Sequence, residues 1–224
     1  MGASLESQRN SISLLPLSSP LILLSFRVPG DISPAAYFLV FGAIHPNARR
    51  VVRGCGINPT RARIIDILLA MEAGLKADNE RLEAGELLAD IVVESSELKR
   101  MEVGGDIIPR LIDKIPVLAV AGRVASGKTV IRDAGELRVK ESDRIATVVS
   151  ELSRLGAKIE PLPDDMVIYG RRPLSGTEVD SHFDHRLAMS LAVAGLIAKG
   201  ETTIKHALMA WVYILPSGKL CNEC

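Results

Sequence analysis

The sequence predicts an α/β fold built from three copies of one unit, with apolar helices inside and β-sheets outside. Three nearly all-apolar segments each begin just after an aspartate. They are residues 34–44 after Asp31, residues 116–125 after Asp113 and residues 187–198 after Asp184. A helix that is apolar on every side has to be buried, so these segments predict three internal helices.

Each predicted helix is followed by a break that contains glycine or asparagine, and then by a short β-branched run that is typical of a strand. These runs are Val51-Val52, Thr129-Val130-Ile131 and Thr202-Thr203-Ile204. In the first two copies an amphipathic helix comes next, with Gly74 and Gly156 as candidate C′ residues. Asp31 and Asp113 are 82 residues apart, as are Gly74 and Gly156, which supports the repeat.

The two ends of the chain do not fit the repeat. Residues 1–27 are rich in serine and leucine, and Pro16 and Pro20 interrupt their apolar part, so we expect a poorly ordered leader. Residues 91–93 and 166–169 supply further strands of the first two copies. The third copy is incomplete after Ala207.

The composition excludes several classes of protein. The chain has 224 residues, 47% of them hydrophobic, which is enough for a sizeable core. Its 27 basic residues equal its 27 acidic residues and only 4% are aromatic, so we expect no nucleic-acid partner. No apolar run reaches the ~18 residues of a membrane span, so we expect no membrane partner. Three cysteines are too few for a disulfide framework, which favours a reduced, cytoplasmic protein.

Two short motifs are interpreted as chance matches. Residues 122–129 fit the phosphate-loop pattern G-x-x-x-x-G-K-T, but such a loop must lead from a strand into a helix. Here the β-branched Thr129-Val130-Ile131 follows instead. Cys221 and Cys224 form a C-x-x-C pair without a second ligand pair, and the four histidines show no metal-ligand spacing. We therefore expect no nucleotide, no metal and no cofactor.

The most charged part of the chain is residues 136–144, with the sequence Glu-Leu-Arg-Val-Lys-Glu-Ser-Asp-Arg. It leads into an amphipathic helix, for which Ser142 is a suitable N-cap and Asp143 is well placed near the positive end of the dipole. Lys140, Glu141 and Arg144 therefore lie at a helix N-terminus, where backbone N–H groups already favour an anion. Such a cluster suits a site that binds anions and moves a proton, although a solvated charged helix entrance would have the same pattern.

This stretch resembles the Lys-Glu-(Ser/Thr)-Asp-Arg signature of the 3-phosphoshikimate 1-carboxyvinyltransferases, the EPSP synthase family. Three other stretches match the same family in the same order. They are residues 28–33 (VPGDIS), 111–116 (LIDKIP) and 184–190 (DHRLAMS), and residues 58–61 (NPTR) resemble its bacterial branch. The resemblance covers residues 28–207.

A full family member is about twice as long, so the resemblance implies the C-terminal half. It implies a domain of βαβαββ units around parallel internal helices, whose N-termini point at a cleft that binds anions. It also implies three segments: a leader outside the family at residues 1–27, the family domain at residues 28–207, and a divergent tail at residues 208–224 that leaves the third unit incomplete.

The family transfers the enolpyruvyl group of phosphoenolpyruvate to the 5-hydroxyl of shikimate 3-phosphate, a step toward chorismate and the aromatic amino acids. By motif, Asp113 matches the proton acceptor and Glu141 the residue that transfers a proton at the enolpyruvyl carbon. The resemblance also assigns ligands to the two small-molecule substrates. Lys140 matches a ligand of shikimate 3-phosphate, Arg144 and Arg186 match ligands of phosphoenolpyruvate, and His185 lines the same region.

Several alternatives stay open. From propensity, Asp113 also suits a helix N-cap, His185 suits a buried structural histidine, and Asp184 would orient Arg186 or cap its helix. Lys114 stands where close bacterial relatives have an acidic residue, and a cation there would weaken Asp113 as a base. The family's N-terminal domain, which completes both substrate sites, is absent. A truncated remnant without activity, or a UDP-N-acetylglucosamine enolpyruvyl transferase on the same fold, are the competing interpretations.

Overall fold

A computed structural model describes residues 4–16, 20, 28–171 and 173–208 of the chain. The predicted leader contains an antiparallel hairpin of two strands, β1 (Leu5–Gln8) and β2 (Ser11–Leu14), joined by a two-residue turn. This differs from the poorly ordered segment that we expect from the sequence. Every residue of both strands is exposed, so the hairpin rests on its own ladder of hydrogen bonds.

The first unit, residues 30–94, contains two helices and one antiparallel sheet. Its elements are α1 (Ile32–Ile44), β3 (Arg49–Gly56), α2 (Arg63–Ala70), β4 (Gly74–Glu83) and β5 (Glu86–Glu94). The strand order is β3-β5-β4. A parallel bridge between Gly30 and Cys55 adds a short contact on the open side of β3.

The second unit, residues 102–169, has the same order of corresponding strands. Its elements are β6 (Glu102–Val103), α3 (Ile108–Leu111), α4 (Ile115–Val124), β7 (Lys128–Ile131), α5 (Arg144–Arg154), β8 (Lys158–Pro161) and β9 (Met166–Tyr169). The sheet runs β6-β7-β9-β8, with β6 parallel to β7 and the other pairs antiparallel. Three 3₁₀ turns lie in this region, at Gly105–Ile107, Ile112–Lys114 and Gly135–Val139.

The third unit, residues 178–205, is shorter. It contains β10 (Glu178–Asp180), α6 (His185–Gly195) and β11 (Thr203–Lys205), with β10 parallel to β11. Each unit thus begins with a short parallel pairing beside its buried helix, which is consistent with the predicted repeat.

The core of the protein is formed by α1, α4 and α6, which pack against one another. Nine of the ten residues of α4 are buried, as are ten of the thirteen of α1. These helices coincide within two or three residues with the apolar segments that predicted them. Helices α1 and α4 are buried because neither has a polar face that could be turned toward water. In the part of the chain that the structure describes, no helix is long and apolar enough to cross a membrane.

Some local predictions are wrong. The N-cap of α5 is Asp143, whose carboxylate accepts from the Ala146 N–H at 3.0 Å, and not Ser142. The residue that follows α2 in the left-handed conformation is Glu72 (φ 61°), and Gly74 instead begins β4. Gly156 (φ 88°) is a C′ residue as predicted, since the backbone returns through an Ala157–Leu152 hydrogen bond.

The phosphate-loop match is not followed by a helix. Lys128 is the first residue of strand β7, and residues 129–131 continue that strand in register with β9. Its neighbour Gly127 (φ 93°) makes the tight turn between α4 and β7. Because a strand and not a helix follows Lys128, no helix N-terminus is present there to bind a phosphate.

Candidate active site

The three aspartates at the N-terminal ends of the buried helices are used in two ways. Asp31 caps α1 by accepting from the Ser33 N–H at 2.9 Å, and Asp184 caps α6 through the Arg186 and Leu187 N–H groups at 2.8 and 3.3 Å. Asp113 does not cap α4, because that helix begins two residues later, at Ile115, and its N-cap position is Lys114. Its carboxylate is therefore available for other partners, against the capping alternative.

Arg144, the first residue of α5, is the centre of the site. Its side chain is 1% exposed, and its Nε donates to Oδ2 of Asp184 at 2.7 Å. Asp184 itself is fully buried. Burial alone would raise the pKa of Asp184, but the hydrogen bond and charge of Arg144 outweigh it and lower that pKa. Both groups are therefore charged, and Asp184 fixes the orientation of the Arg144 guanidinium.

The other edge of the Arg144 guanidinium faces two carboxylates that reach solvent. Nη1 contacts Oδ1 of Asp113 at 3.3 Å, and Nη2 contacts Oε2 of Glu141 at 2.5 Å. The side chains of Asp113 and Glu141 are 39% and 53% exposed. One buried arginine thus holds the predicted proton acceptor and the predicted proton donor on the same side of the domain.

Arg186 adds a second guanidinium. Its Nη2 lies 3.6 Å from Oδ2 of Asp113, and the side chain is 14% exposed. Asp184 does not contact this side chain. It orients Arg144 and caps α6, so of the two roles predicted for Asp184 the structure shows the capping of its helix.

His185 and Tyr37 complete the surroundings of Arg186. Burial, followed by the charge of Arg186, lowers the pKa of His185, so the imidazole is neutral at pH 7. Burial raises the pKa of Tyr37 to about 12 against the opposing attraction of Arg186. Sequence reasoning missed Tyr37. The available signal was a phenol inside an apolar helix, because a buried hydroxyl normally has a polar neighbour.

Lys140 lies apart from these contacts. Its Nζ pairs with Oε1 of Glu136 at 2.8 Å, one helical turn earlier, and its side chain is 28% exposed. Ser142, which was not predicted to take part, donates its hydroxyl to Oδ2 of Asp184 at 3.2 Å.

Lys114 is buried, with 5% of its surface exposed. No carboxylate oxygen of the described residues lies within 4.0 Å of its ammonium group, whereas Asp113 contacts two arginines. Burial lowers the pKa of Lys114, partly offset by the charge of Asp113. The effect of Lys114 on Asp113 as a base stays a prediction.

Metal binding has no structural support in the described ranges, 4–16, 20, 28–171 and 173–208, where no three His, Cys, Asp or Glu residues are grouped to hold an ion. Cys221 and Cys224 lie outside those ranges. A cavity of about 370 Å³ opens beside the entrance of α1 and is lined by Asp31, Asn58 and Arg61.

The EPSP synthase (3-phosphoshikimate 1-carboxyvinyltransferase) family profile matches residues 1–211. This range begins before residue 28 and ends after Ala207, so the division into leader, domain and tail stays a prediction. A relative from Gloeobacter violaceus, named 3-phosphoshikimate 1-carboxyvinyltransferase, is 58% identical over 80% of this chain. One of the same name from Crocosphaera subtropica is 51% identical over 92% of it.

The solved structures agree with these matches. EPSP synthase from Acinetobacter baumannii superposes with a TM-score of 0.89 at 40% identity, over 95% of this chain and 49% of that one. The chain covers 42% and 46% of the two curated relatives, so it spans just under half of their length. The likeness confirms the predicted α/β fold of enolpyruvyl transferases. The chain belongs to the EPSP synthase family.

Proposed function

We propose that this chain supplies one wall of an active site that transfers the enolpyruvyl group of phosphoenolpyruvate to the 5-hydroxyl of shikimate 3-phosphate. The observation that carries the proposal is the contact of Arg144 with both Asp113 and Glu141. A transfer of this kind needs a base at the hydroxyl and an acid at the methylene carbon. Two carboxylates fixed by one buried guanidinium meet that need.

In the proposed reaction Asp113 accepts the proton of the 5-hydroxyl as the new C–O bond forms at the substituted carbon of phosphoenolpyruvate. Glu141, which enters this step protonated, gives its proton to the methylene carbon. In the second step the proton roles reverse and the C–O bond to phosphate breaks, so that inorganic phosphate leaves. The atoms balance without a cofactor, because the two carboxyl groups carry the protons between steps.

The anionic groups of the substrates fit the cations at the helix entrances. Arg186 has a fork-shaped guanidinium that is partly free of carboxylates and suits a carboxylate or phosphate of phosphoenolpyruvate. Arg144 would bind the same substrate by exchanging its contact with Glu141 or Asp113. Lys140 would leave Glu136 to bind the phosphate of shikimate 3-phosphate, since a lysine on an exposed pair loses little by doing so.

We further propose that the chain alone does not catalyse the transfer. Two phosphates and a carboxylate repel one another unless cations surround them, and this chain provides one side only. Positioning in a closed site supplies roughly 7–11 kcal/mol of an enzyme's advantage, most of which an open wall loses. The names of the relatives favour the shikimate substrate over UDP-N-acetylglucosamine.

Phosphate release from phosphoenolpyruvate and shikimate 3-phosphate tests the proposal. We expect none from the purified chain. We expect turnover when the separately expressed amino-terminal half of the Gloeobacter violaceus relative is added. Asp113→Asn should reduce that turnover by about 10²–10⁴-fold, the usual worth of a positioned base.

The matched control is Asp31→Asn, which changes the corresponding aspartate of the first unit and retains a good N-cap residue. It should leave turnover within about twofold of the parent. Equal losses in Asp31→Asn and Asp113→Asn would contradict the assignment of Asp113. Full turnover by the chain alone would contradict the need for a second domain.

A further inference from the structure

A buried carboxylate, that of Glu151, lies on the inner face of α5. Its side chain is 4% exposed, although its neighbours on that face, Val148 and Leu152, are apolar. An acidic residue is rarely buried unless it is paired, because removing a carboxylate from water is costly. The partners of Glu151 therefore show what its burial achieves.

The main partners of Glu151 belong to the chain between β10 and α6. Oε2 accepts the N–H of Asp180 at 2.9 Å, and Oε1 lies 3.3 Å from Nε2 of His182. Within α5, the hydroxyl of Ser150 donates to Oε1 at 3.0 Å, and Nε of Arg154 lies 3.7 Å from Oε2. The carboxylate thus joins α5 to the segment that leads into the buried helix α6.

The same face of α5 holds this segment at a second point. Arg144 and Glu151 are seven residues apart, which is about two helical turns, so both lie on one face of α5. Arg144 pairs with Asp184 at 2.7 Å. Glu151 accepts from the backbone of Asp180 at 2.9 Å. Residues 181–184, which we name the β10–α6 turn, are therefore attached to α5 at both ends.

The β10–α6 turn has a backbone conformation that its residues do not favour. His182 and Phe183 are consecutive and have φ angles of 50° and 59°, in the left-handed region that residues other than glycine disfavour. Such a conformation persists only where surrounding contacts impose it. On the outer side, Nδ1 of His206 lies 2.9 Å from Oδ1 of Asp180, and its ring centre lies 4.3 Å from that of Phe183. On the inner side, Glu151 provides the contacts.

We propose that Glu151 is a positioning residue of the proposed active site, and that it acts through the β10–α6 turn on Arg144 and Arg186. The turn ends at Asp184, whose carboxylate orients the Arg144 guanidinium and caps α6 through the Arg186 N–H at 2.8 Å. Without the inner attachment the turn relaxes toward ordinary backbone angles, and Asp184 moves with it. Both arginines then lose their orientation. The consequence for phosphoenolpyruvate rests on the proposed function, whereas the consequence for Arg144 does not.

The chain alone provides the first test, through the ¹H–¹⁵N NMR signal of the Arg144 Nε–H. The signal is assigned by its absence in Arg144→Lys, and its exchange with water is slow while the group donates to Asp184. Glu151→Ala should make this proton exchange about tenfold faster or more, because the turn that carries Asp184 opens more often. Glu151→Gln retains an acceptor for the Asp180 N–H and should change the exchange by less than about twofold.

The matched control is Asp90→Ala in β5 of the first unit. Like Glu151, Asp90 has a carboxylate that accepts a backbone N–H from another element, that of Gly54 at 2.8 Å, and its side chain is 19% exposed. Its loss should lower stability without changing the exchange at Arg144. Where Glu151→Ala does not fold, His182→Ala takes its place, since that side chain is 42% exposed and only one contact of Glu151 is removed. This variant should exchange about threefold faster than the parent.

Turnover in the presence of the added amino-terminal half gives the second test. Glu151→Ala should raise KM for phosphoenolpyruvate by about tenfold or more, because two charge-assisted contacts are misaligned. It should leave KM for shikimate 3-phosphate within about twofold, because Lys140 lies outside the turn. Equal rises in both constants, unchanged exchange at Arg144, or equal acceleration in Asp90→Ala would overturn the proposal. Absence of turnover in the parent would contradict the proposed function, and the exchange at Arg144 would still decide the role of Glu151.

Discussion

The first and second units have the same order of strands, but their outer helices begin with arginines in opposite environments. Arg63 opens α2 with 37% of its side chain exposed and pairs with Asp66 of the same helix at 2.8 Å. Arg144 opens α5 with 1% exposed and pairs with Asp184 at 2.7 Å, across 40 residues of sequence. The same position in the repeat is a surface pair in one unit and the centre of the site in the other.

The difference arises in the connection that precedes the outer helix. Six residues join β3 to α2, whereas twelve residues join β7 to α5 and include the 3₁₀ turn at Gly135–Val139. The longer connection carries Lys140 and Glu141, and it places Glu141 in contact with Arg144. The repeated scaffold is therefore shared, while the proposed chemistry depends on one connection, as is usual for functional loops on a rigid fold.

The largest expected effect comes from exchanging these two arginines for alanine. Arg144→Ala leaves the buried carboxylate of Asp184 without its partner and should lower the free energy of unfolding by about 3–5 kcal/mol. Arg63→Ala removes an exposed i,i+3 pair and should change it by no more than about 0.5 kcal/mol. Urea denaturation followed by circular dichroism measures both. Similar losses in the two variants would show that the units do not differ as described.

A smaller effect is expected at the residue that follows the aspartate of each unit. Ile32 follows Asp31 and is 2% exposed, whereas Lys114 follows Asp113 and is 5% exposed. Since burial disfavours the ammonium form, Lys114→Met should stabilise the chain at pH 7 by about 1 kcal/mol or more. Ile32→Met, a change between apolar side chains, should cost less than about 1.5 kcal/mol.

The pH dependence of the Lys114→Met effect has a definite sign. The pKa of Lys114 is lowered in the folded chain, so folding releases protons once the pH rises above that pKa. The cost of burying the charge is complete at lower pH and disappears as the pH approaches 10.5, the ordinary value. The gain from Lys114→Met should therefore shrink as the pH rises toward 10.5. A gain that grows over this range would contradict the buried ammonium.

The smallest effect concerns two tyrosines, one in each unit. Burial raises the pKa of Tyr37 in α1 to about 12, while a hydrogen bond with Glu160 raises that of Tyr169 at the surface of β9. The contribution of the neutral Tyr37 phenol to the free energy of unfolding is fully present below pH 10 and is lost as the pH rises toward 12. Absorbance at 295 nm, read immediately after a pH jump, should show a late component near pH 12. Tyr37→Phe should remove this component and Tyr169→Phe should leave it; its survival in Tyr37→Phe would exclude a buried phenol.

Much of the scaffold was predictable because it is encoded locally. The segments that form α1, α4 and α6 are apolar on every side, and such segments are stable in the interior of a fold. Cap details were less predictable. Asp113 precedes a buried helix as Asp31 does. However, the 3₁₀ turn at Ile112–Lys114 moves the start of α4, so the Asp113 carboxylate does not cap that helix.

By itself the sequence determined the positions of the buried helices, the repeat and the charged residues at the helix entrances, since each follows from periodicity, spacing or a short motif. Only the tertiary structure decided which charges meet. The contacts of Arg144 with Asp184 and Asp113 span 40 and 31 residues and depend on how α4, α5 and α6 pack. No local pattern encodes such a pairing, because the free energy that selects it comes from removing Arg144 and Asp184 from water together, and that burial exists only in the packed domain.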